Sequence, residues 1–445
     1  MKMKEKLAIR GGKPAVPGEL MKPWPIITDR DINEIVKVLK SGVLGGIAAP
    51  QALALEKEYA EYSGAKYALV VNSGTAALHC AVAAAGVGPG DEVITSAYTF
   101  LASASAVLHH NGIPVFVDIE PDTFTIDPTK IEAKITEKTK AVMPVHIHGM
   151  PADMDPILRI ARQNNLKVIE DAAQAHGATY KGQMAGTLGD IAGFSLQTTK
   201  NLCAGEGGLI TTNDIELRDR ASLVRMFGEI VQKDRARSYN AYVMGWNYRI
   251  PEMSASLART QLTNLDKHNM EIRENAEYLS SQLRQIKGLI PPYVPADRTS
   301  TYYLYRVKVD PGPLGLDIEP GRLRMAVQDA LVAEGVEVMG WQNVPVAGQA
   351  IFQFKTGYGR GCPWSCPHAR GGIEYRITDY PRTLEVLDTS FHIGHVYPPN
   401  DKEAMDYIVY AFQKVMGSVD EVIDHFNKQK DFVPIEERAV KLVDL

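Results

Sequence analysis

The chain is poor in cysteine: Cys80, Cys203, Cys362 and Cys366 are the only four among 445 residues, too few for a disulfide framework in a protein of this length. It has no uninterrupted apolar run near the roughly 20 residues that a membrane helix requires. Its start, Met1-Lys-Met-Lys-Glu-Lys-Leu-Ala-Ile-Arg10, is not followed by the apolar core and small-residue cleavage site of a secretory signal. A reducing cytoplasm is the expected location. An excess of positive charge is also missing: the formal net charge is -5, so no basic surface for nucleic acid is expected. No internal repeat or low-complexity tract stands out. Small molecules are therefore the expected partners, with neither nucleic acid nor membrane among them.

What is present is ordinary for a globular protein, with 45% hydrophobic and 23% charged residues. The length allows a sizeable core and favours more than one domain. From about residue 66 to 212, short β-rich runs alternate with helical stretches. Tyr67–Val71 precedes a helix over Thr75–Ala85, and Asp91–Thr95 precedes one over Ala102–His110; Val115–Asp118, Lys140–Val145 and Lys167–Asp171 follow. Continuous apolar runs, rather than alternating ones, indicate strands covered on both faces. The expected fold is α/β, a mostly parallel sheet with helices on both sides. After Leu262 the texture changes to a charged helix over Asp266–Lys287, a strand over Thr301–Val309 and helices over Gly321–Glu334 and Asp401–Phe426. This predicts a smaller α+β domain over 266–445, following a large domain over 1–265 with an N-terminal arm to about residue 40. The Gly-, Pro- and aromatic-rich stretch 344–400 reads as loop near a site or interface.

In an α/β sheet, ligands bind beyond the carboxyl ends of the strands. After Val71 comes Asn72-Ser-Gly-Thr-Ala-Ala-Leu78, where small residues and a hydroxyl open a helix. Its N–H groups suit a phosphate, and the same letters also make a plain helix cap. After Ile169, the strand ends in Glu170-Asp-Ala-Ala-Gln-Ala-His-Gly177. Asp171 at a buried strand tip needs a partner, either a helix N-terminus or a cation such as a protonated heterocyclic nitrogen. The third loop, Gly193-Phe-Ser-Leu-Gln-Thr-Thr-Lys-Asn-Leu-Cys-Ala-Gly-Glu-Gly-Gly208, carries Lys200. Alone, Lys200 reads as a solvated lysine. Together, a phosphate cradle, a strand-end Asp and a Lys in three such loops make up a complete pyridoxal phosphate site.

The motifs "NSGTAAL", "GVGPGDEVITSAYTF", "PVFVDIEPDTFTID", "AVMPVHIHGMPADMD", "VIEDAAQAHGA", "GFSLQTTKNLCAGEGG" and "WNYRIPEMSASLARTQL" occur in the order found in the DegT/DnrJ/EryC1/StrS aminotransferases. The resemblance is strong over roughly residues 20–265 and weaker beyond. It implies a fold-type-I pyridoxal phosphate enzyme, with a seven-stranded type of central sheet, that aminates keto groups of sugars or cyclitols. By motif, Lys200 resembles the lysine that holds the cofactor covalently, and Asp171 the partner of its ring nitrogen. Phe100 resembles the aromatic stacked on the ring and Gln174 the residue on the other face. Gly74, Thr75 and Ser195 resemble phosphate ligands. Asn247 resembles an asparagine that reaches the phosphate of the neighbouring subunit, which implies a homodimer with shared sites. Relatives that dehydrate carry histidine where this chain has Lys200, so lysine favours transamination from glutamate or glutamine. The segments "LAIRGGKPAV" and "GYGRGCPWSCP" look more like the cyclitol and aminoglycoside branch than the nucleotide-sugar branch.

Other readings stay beside this one: epimerisation, elimination or cyclisation on the same fold, or a non-catalytic binding protein. His146 and His148 follow Val145 near a strand end and are either substrate contacts or structural histidines. Arg249 is either a ligand of the donor carboxylate or a salt-bridge partner. Cys362 and Cys366, spaced CxxxC, with His368 nearby, lack the four ligands of a zinc site, so no metal is expected; that loop is expected to shape the pocket or an interface. Cys203 and Glu206 are expected to serve packing and loop geometry.

Overall fold

The computed structural model describes residues 5–231, 237–435 and 437. Its centre is a seven-stranded sheet: β1 Tyr67–Val71, β2 Glu92–Ser96, β3 Ile113–Val117, β4 Thr139–Met143, β5 Lys167–Asp171, β6 Ile191–Ser195 and β7 Gly208–Thr212. The order is β1-β7-β6-β5-β4-β2-β3. Only β7 runs against its neighbours, pairing antiparallel with β1 and β6; the remaining pairs are parallel. Two-sided cover explains the unbroken apolar runs. Leu69 and Val71 point into one core layer, while Ala68 and Val70 point into another.

Helices α1 Asp29–Ser41, α2 Pro50–Ser63, α3 Gly74–Ala84, α4 Leu101–His109, α5 Met154–Gln163, α6 Ile215–Arg225 and α7 Glu252–Leu262 surround this sheet. Ala76, Ala77 and Leu78 of α3 and Ala106 of α4 meet one face, and Leu55 and Tyr59 of α2 with Ala255 and Ala258 of α7 meet the other. The small residues of α3 let it lie close to the strands.

The second body of structure is a four-stranded antiparallel sheet of β8 Leu289–Ile290, β9 Tyr305–Val309, β10 Val338–Met339 and β11 Ser390–Ile393, ordered β8-β9-β11-β10. One of its faces packs on α8 Leu265–Leu283, α9 Pro320–Ala333 and α11 Lys402–Met416; α10 Pro381–Thr389 and α12 Val419–Gln429 complete the helices around it. Leu7, Ala15 and Val16 join the same core, tied there by Glu334, which accepts the N–H groups of Ala8 and Ala15 and pairs with Lys414 at 2.8 Å.

Two expectations need correction. The single helix over Asp401–Phe426 is two helices, because at Gly417–Ser418 the chain leaves helical geometry, Ser418 having φ -130°. The break lets Phe412 and Phe426 both reach the core. The stretch 344–400 is not merely loop: it holds α10 and β11, a central strand of the second sheet. A four-residue strand opened by the end of a helix leaves too short a pattern to read. Before α10, Phe352, Ile373, Tyr375 and Tyr380 pack on Ile113 and Phe116 of β3. Among the described residues, no helix is long and apolar enough to cross a membrane.

Candidate active site

The loops after β1, β5 and β6 meet at one end of the first sheet. Ser73 caps α3, its hydroxyl accepting the Ala76 N–H at 3.1 Å. Among the described residues, no acceptor takes up the N–H groups of Gly74 and Thr75 or the Thr75 hydroxyl, so the first turn presents donors outward. A Cβ on Gly74 would stand 2.7 Å from Cβ of Ser195, and one on Gly208 would stand 2.3 Å from the Ser73 carbonyl oxygen. Only glycine lets the helix start press this closely on the ends of β6 and β7. Ser195 is fixed in turn: its carbonyl accepts from His176 Nε2 at 2.8 Å, and Nδ1 of the same ring bonds the Tyr59 hydroxyl at 2.9 Å. Burial lowers the His176 pKa to about 4, aided by the charge of Lys200, so the ring braces as a neutral group.

Asp171 ends β5 and is buried. Its Oδ2 accepts the Ser103 hydroxyl at 2.5 Å and its Oδ1 the Ala173 N–H at 3.1 Å. Ser103 of α4 bonds the hydroxyl of Thr99, just before that helix, at 2.7 Å, so a chain of two hydroxyls orients the carboxyl. Burial raises the Asp171 pKa, and the bonds from Ser103 and Ala173 and the charges of Lys200 and His146 oppose it in part. Such a carboxyl is short of one close cation.

Lys200 follows β6, and the N-terminal arm and the second sheet hold its loop. The Trp24 indole N–H donates to the Lys200 carbonyl at 3.2 Å. The Lys200 ammonium lies 3.9 Å from the centre of the Tyr303 ring, and the Tyr303 hydroxyl bonds Thr199 at 2.9 Å. Next in the chain, Asn201 donates to Asn269 and to the Thr301 carbonyl, both at 2.9 Å. The charge of Lys200 acts on Asp171, His148 and His176, so the structure gathers these groups around one amine. Trp24, Thr99, Ser103 and Tyr303 escaped the sequence reading; each is close only through tertiary contact.

Of the other predicted residues, Phe100 precedes α4 and is 58% exposed, leaving a ring face open. Gln174 is buried, and its Oε1 accepts the His148 N–H at 2.7 Å. Asn247 is exposed, and its carbonyl accepts weakly from Asn72 at 3.5 Å. Arg249 is not brought to Lys200 within the chain: it stacks 5.1 Å from the Phe227 ring centre and lines a separate cavity with Glu56 and Arg225. His146 is fully engaged, Nε2 with Glu170 at 2.8 Å and Nδ1 with the Ala152 N–H at 3.1 Å. Glu170 also accepts from Gly186, Leu188 and Gly189. His148 bonds the Tyr98 hydroxyl at 3.1 Å, and its Nδ1 has no partner among the described residues.

Cys203 is buried, its thiol pushed up to about 12 by burial, and Glu206 is exposed. The Cys362–Cys366 loop packs on the first sheet's edge, where a Cβ on Gly90 would meet the His368 backbone at 2.4 Å. Arg370 reaches Glu92 there at 2.9 Å. Among the described residues, no group of three or more His, Cys, Asp or Glu is arranged to hold a metal.

Pyridoxal phosphate, which the motif resemblance implies, asks for an anion site, a counter-charge for its ring nitrogen and an amine. The first turn of α3 with Ser195 supplies free N–H and hydroxyl donors, Asp171 a buried carboxyl short of a cation, and Lys200 an amine whose charge both Asp171 and His176 feel. The residues present fit the group.

Comparison with known proteins points the same way. The profile of the DegT/DnrJ/EryC1/StrS aminotransferase family matches residues 25–373. The spore coat polysaccharide biosynthesis protein SpsC of Bacillus subtilis is 41% identical over 89% of this chain and 97% of its own. A Streptoalloteichus tenebrarius protein provisionally named L-glutamine:3-amino-2,3-dideoxy-scyllo-inosose aminotransferase is 36% identical over 94% of this chain and 99% of its own. Among solved structures, 3-amino-5-hydroxybenzoic acid synthase superposes with a TM-score of 0.78 at 28% identity, covering 92% of this chain and 99% of that one. DesV of S. venezuelae, solved with a ketimine intermediate, gives 0.75 at 30% identity, covering 87% and 94%.

Proposed function

The chain belongs to the DegT/DnrJ/EryC1/StrS aminotransferase family, fold-type-I enzymes that use pyridoxal phosphate, and from that premise we propose that it moves an amino group from glutamate or glutamine to a ketone on a cyclitol, in preference to a nucleotide-linked keto-sugar. The observation that carries the reading is the gathering of Lys200, Asp171 and the α3 cradle at one sheet end. The cyclitol preference is supported by the relative named for an inosose substrate, whose likeness spans 94% of this chain. The relative named GDP-perosamine synthase aligns over 58% of it.

When bound, pyridoxal phosphate supplies a carbonyl carbon for amine exchange and a ring that takes up an electron pair. Gly74, Thr75 and Ser195 bind its phosphate. The Thr99–Ser103–Asp171 chain holds the carboxyl that keeps the ring nitrogen protonated. Phe100 and Gln174 pack on its two faces. Lys200 Nζ would take the proton from the donor's α-carbon as a general base and pass it to the carbon that keeps the amine, and would carry a proton in the opposite sense when the acceptor is aminated. Nearby, Tyr239, Tyr242, Val243 and Met244 are exposed, Met244 by 77%, an apolar patch before Asn247 that suits burial against a second copy. This supports a homodimer in which Asn247 completes the neighbour's phosphate site.

The test is a half-reaction screen: glutamine or glutamate converts the cofactor to pyridoxamine phosphate, and the charged enzyme then aminates scyllo-inosose-type ketones faster than nucleoside diphosphate 4-keto-sugars. Absence of pyridoxamine phosphate with either donor overturns the transaminase reading; preference for the nucleotide sugars overturns the cyclitol one.

A further inference from the structure

One face of the second sheet looks toward the first sheet. On it Arg306 of β9 and His392 of β11 are cross-strand partners, and both are buried. Arg306 has no carboxylate partner among the described residues: Nη2 donates to the Ser390 hydroxyl, whereas Nε and Nη1 find no acceptor. Nδ1 of His392 and Nδ1 of His148 are unpartnered too. Burial, then the Arg306 charge, lowers the His392 pKa to about 3. Burial likewise holds His148 well below its usual range, with Arg306, His392 and Lys200 adding to it. The histidines are thus neutral, each with an open ring nitrogen, around one cation. Lys308, on the same strand, is already engaged by Asp122 and the Pro121 carbonyl.

Around these groups, Tyr98 places its ring centre 5.9 Å from the guanidinium, and half-buried Trp341 packs on both Tyr98 and His148. A narrow cavity bounded by Phe124, His148, Met150, Ser300 and Tyr302 reaches Arg306. Lys200 and Gln174 connect the cluster to the site, the first by its charge on His148 and the second by accepting the His148 N–H.

A buried guanidinium with open donors is strongly disfavoured unless an anion completes it. We propose that Arg306, with the Nδ1 atoms of His148 and His392, binds the carboxylate of the amino-acid donor in the cleft between the two sheets. The inference rests on the aminotransferase reading of the Lys200 site. One cation among neutral donors matches a singly charged, flat anion; a nucleotide's phosphates would bring more charge than the cluster can answer. With the Tyr98 hydroxyl donating to Nε2, His148 keeps its proton on Nδ1, facing the anion.

The test is calorimetric titration of the cofactor-loaded protein with glutarate, a carboxylate that cannot react, and separately with inorganic phosphate. Glutarate binds the wild type, and Arg306→Gln weakens it about 10- to 100-fold while the bound-cofactor absorbance stays unchanged. Arg306→Lys, which keeps the charge, loses less affinity and serves should the Gln variant misfold. Without ligand, Arg306→Gln melts no lower than the wild type, since it removes an unpaired buried charge. Equal glutarate affinity in wild type and variants overturns the proposal, as does an Arg306-dependent affinity for phosphate that exceeds that for glutarate. Cofactor absorbance lost in Lys200→Ala decides the aminotransferase reading separately.

Discussion

Two buried polar clusters flank Gln174, and they are built on opposite terms. On the side of the first sheet, the side chains are held by protein partners, Asp171 by Ser103 and Ala173, His176 by Tyr59 and Ser195, His146 by Glu170 and Ala152, and only the charge of Asp171 is left without a close counter-charge. On the side of the second sheet, Arg306, His148 and His392 carry unmatched nitrogens. His146 and His148 make the contrast within three residues of chain. A satisfied network fixes geometry; an unsatisfied one stores affinity for something that arrives. The first cluster is suited to hold a resident cofactor, the second a transient anion.

Lys200→Ala, at the centre of the first cluster, should lower amination about 10⁴-fold in single-turnover assays, while far-ultraviolet circular dichroism stays native. Next, Asp171→Asn should cost about a thousandfold in kcat. The same substitution also changes how the stability of the cofactor-free protein depends on pH. The folded pKa of Asp171 is raised, mainly by burial, so folding favours the protonated form. The stability this gives is full below the unfolded value and is lost as pH rises through the folded one. Urea titrations across that range should therefore show the wild type losing stability relative to Asp171→Asn with rising pH. A parallel pair of curves would mean that Asp171 is not short of a cation.

The matched cluster is sharpened by His146→Ala, which strips one bond from buried Glu170 and should destabilise the fold by about 3 kcal/mol, read from chemical denaturation. An unchanged midpoint would show that His146 does not brace the β4–β5 ends. The smallest effect is expected from Gly74→Ala, whose new methyl would stand 2.7 Å from Ser195 Cβ. It should cost about 1–3 kcal/mol and weaken cofactor binding, measured by fluorescence titration, more than it lowers the melting temperature.

How much could be read in advance follows the range of the contacts. Strand β1 is found at Tyr67–Val71 and β5 at Lys167–Asp171, as expected, because a buried strand and the loop after it are written in adjacent residues. The helix starting at Gly74 and the Lys200 loop were legible for the same reason. Ser103, in contrast, lies 68 positions from the carboxyl it orients, and Trp24 lies 176 from the Lys200 carbonyl it holds. Arg306 reads as one residue of a strand, and nothing in "TYYLYRVKV" says that its face of the sheet will be closed without an acidic partner.

By itself, then, the sequence determined the alternation of strands and helices and the loop chemistry of Gly74, Asp171 and Lys200, since backbone periodicity and strand-end position are local properties. The order of the strands, which carries Ser103 to Asp171, and the docking of the second sheet, which brings Tyr303 over Lys200 and seals Arg306 beside His148, were decided only by the tertiary structure. Which polar groups end up matched is set by how whole faces pack, and no local pattern encodes that.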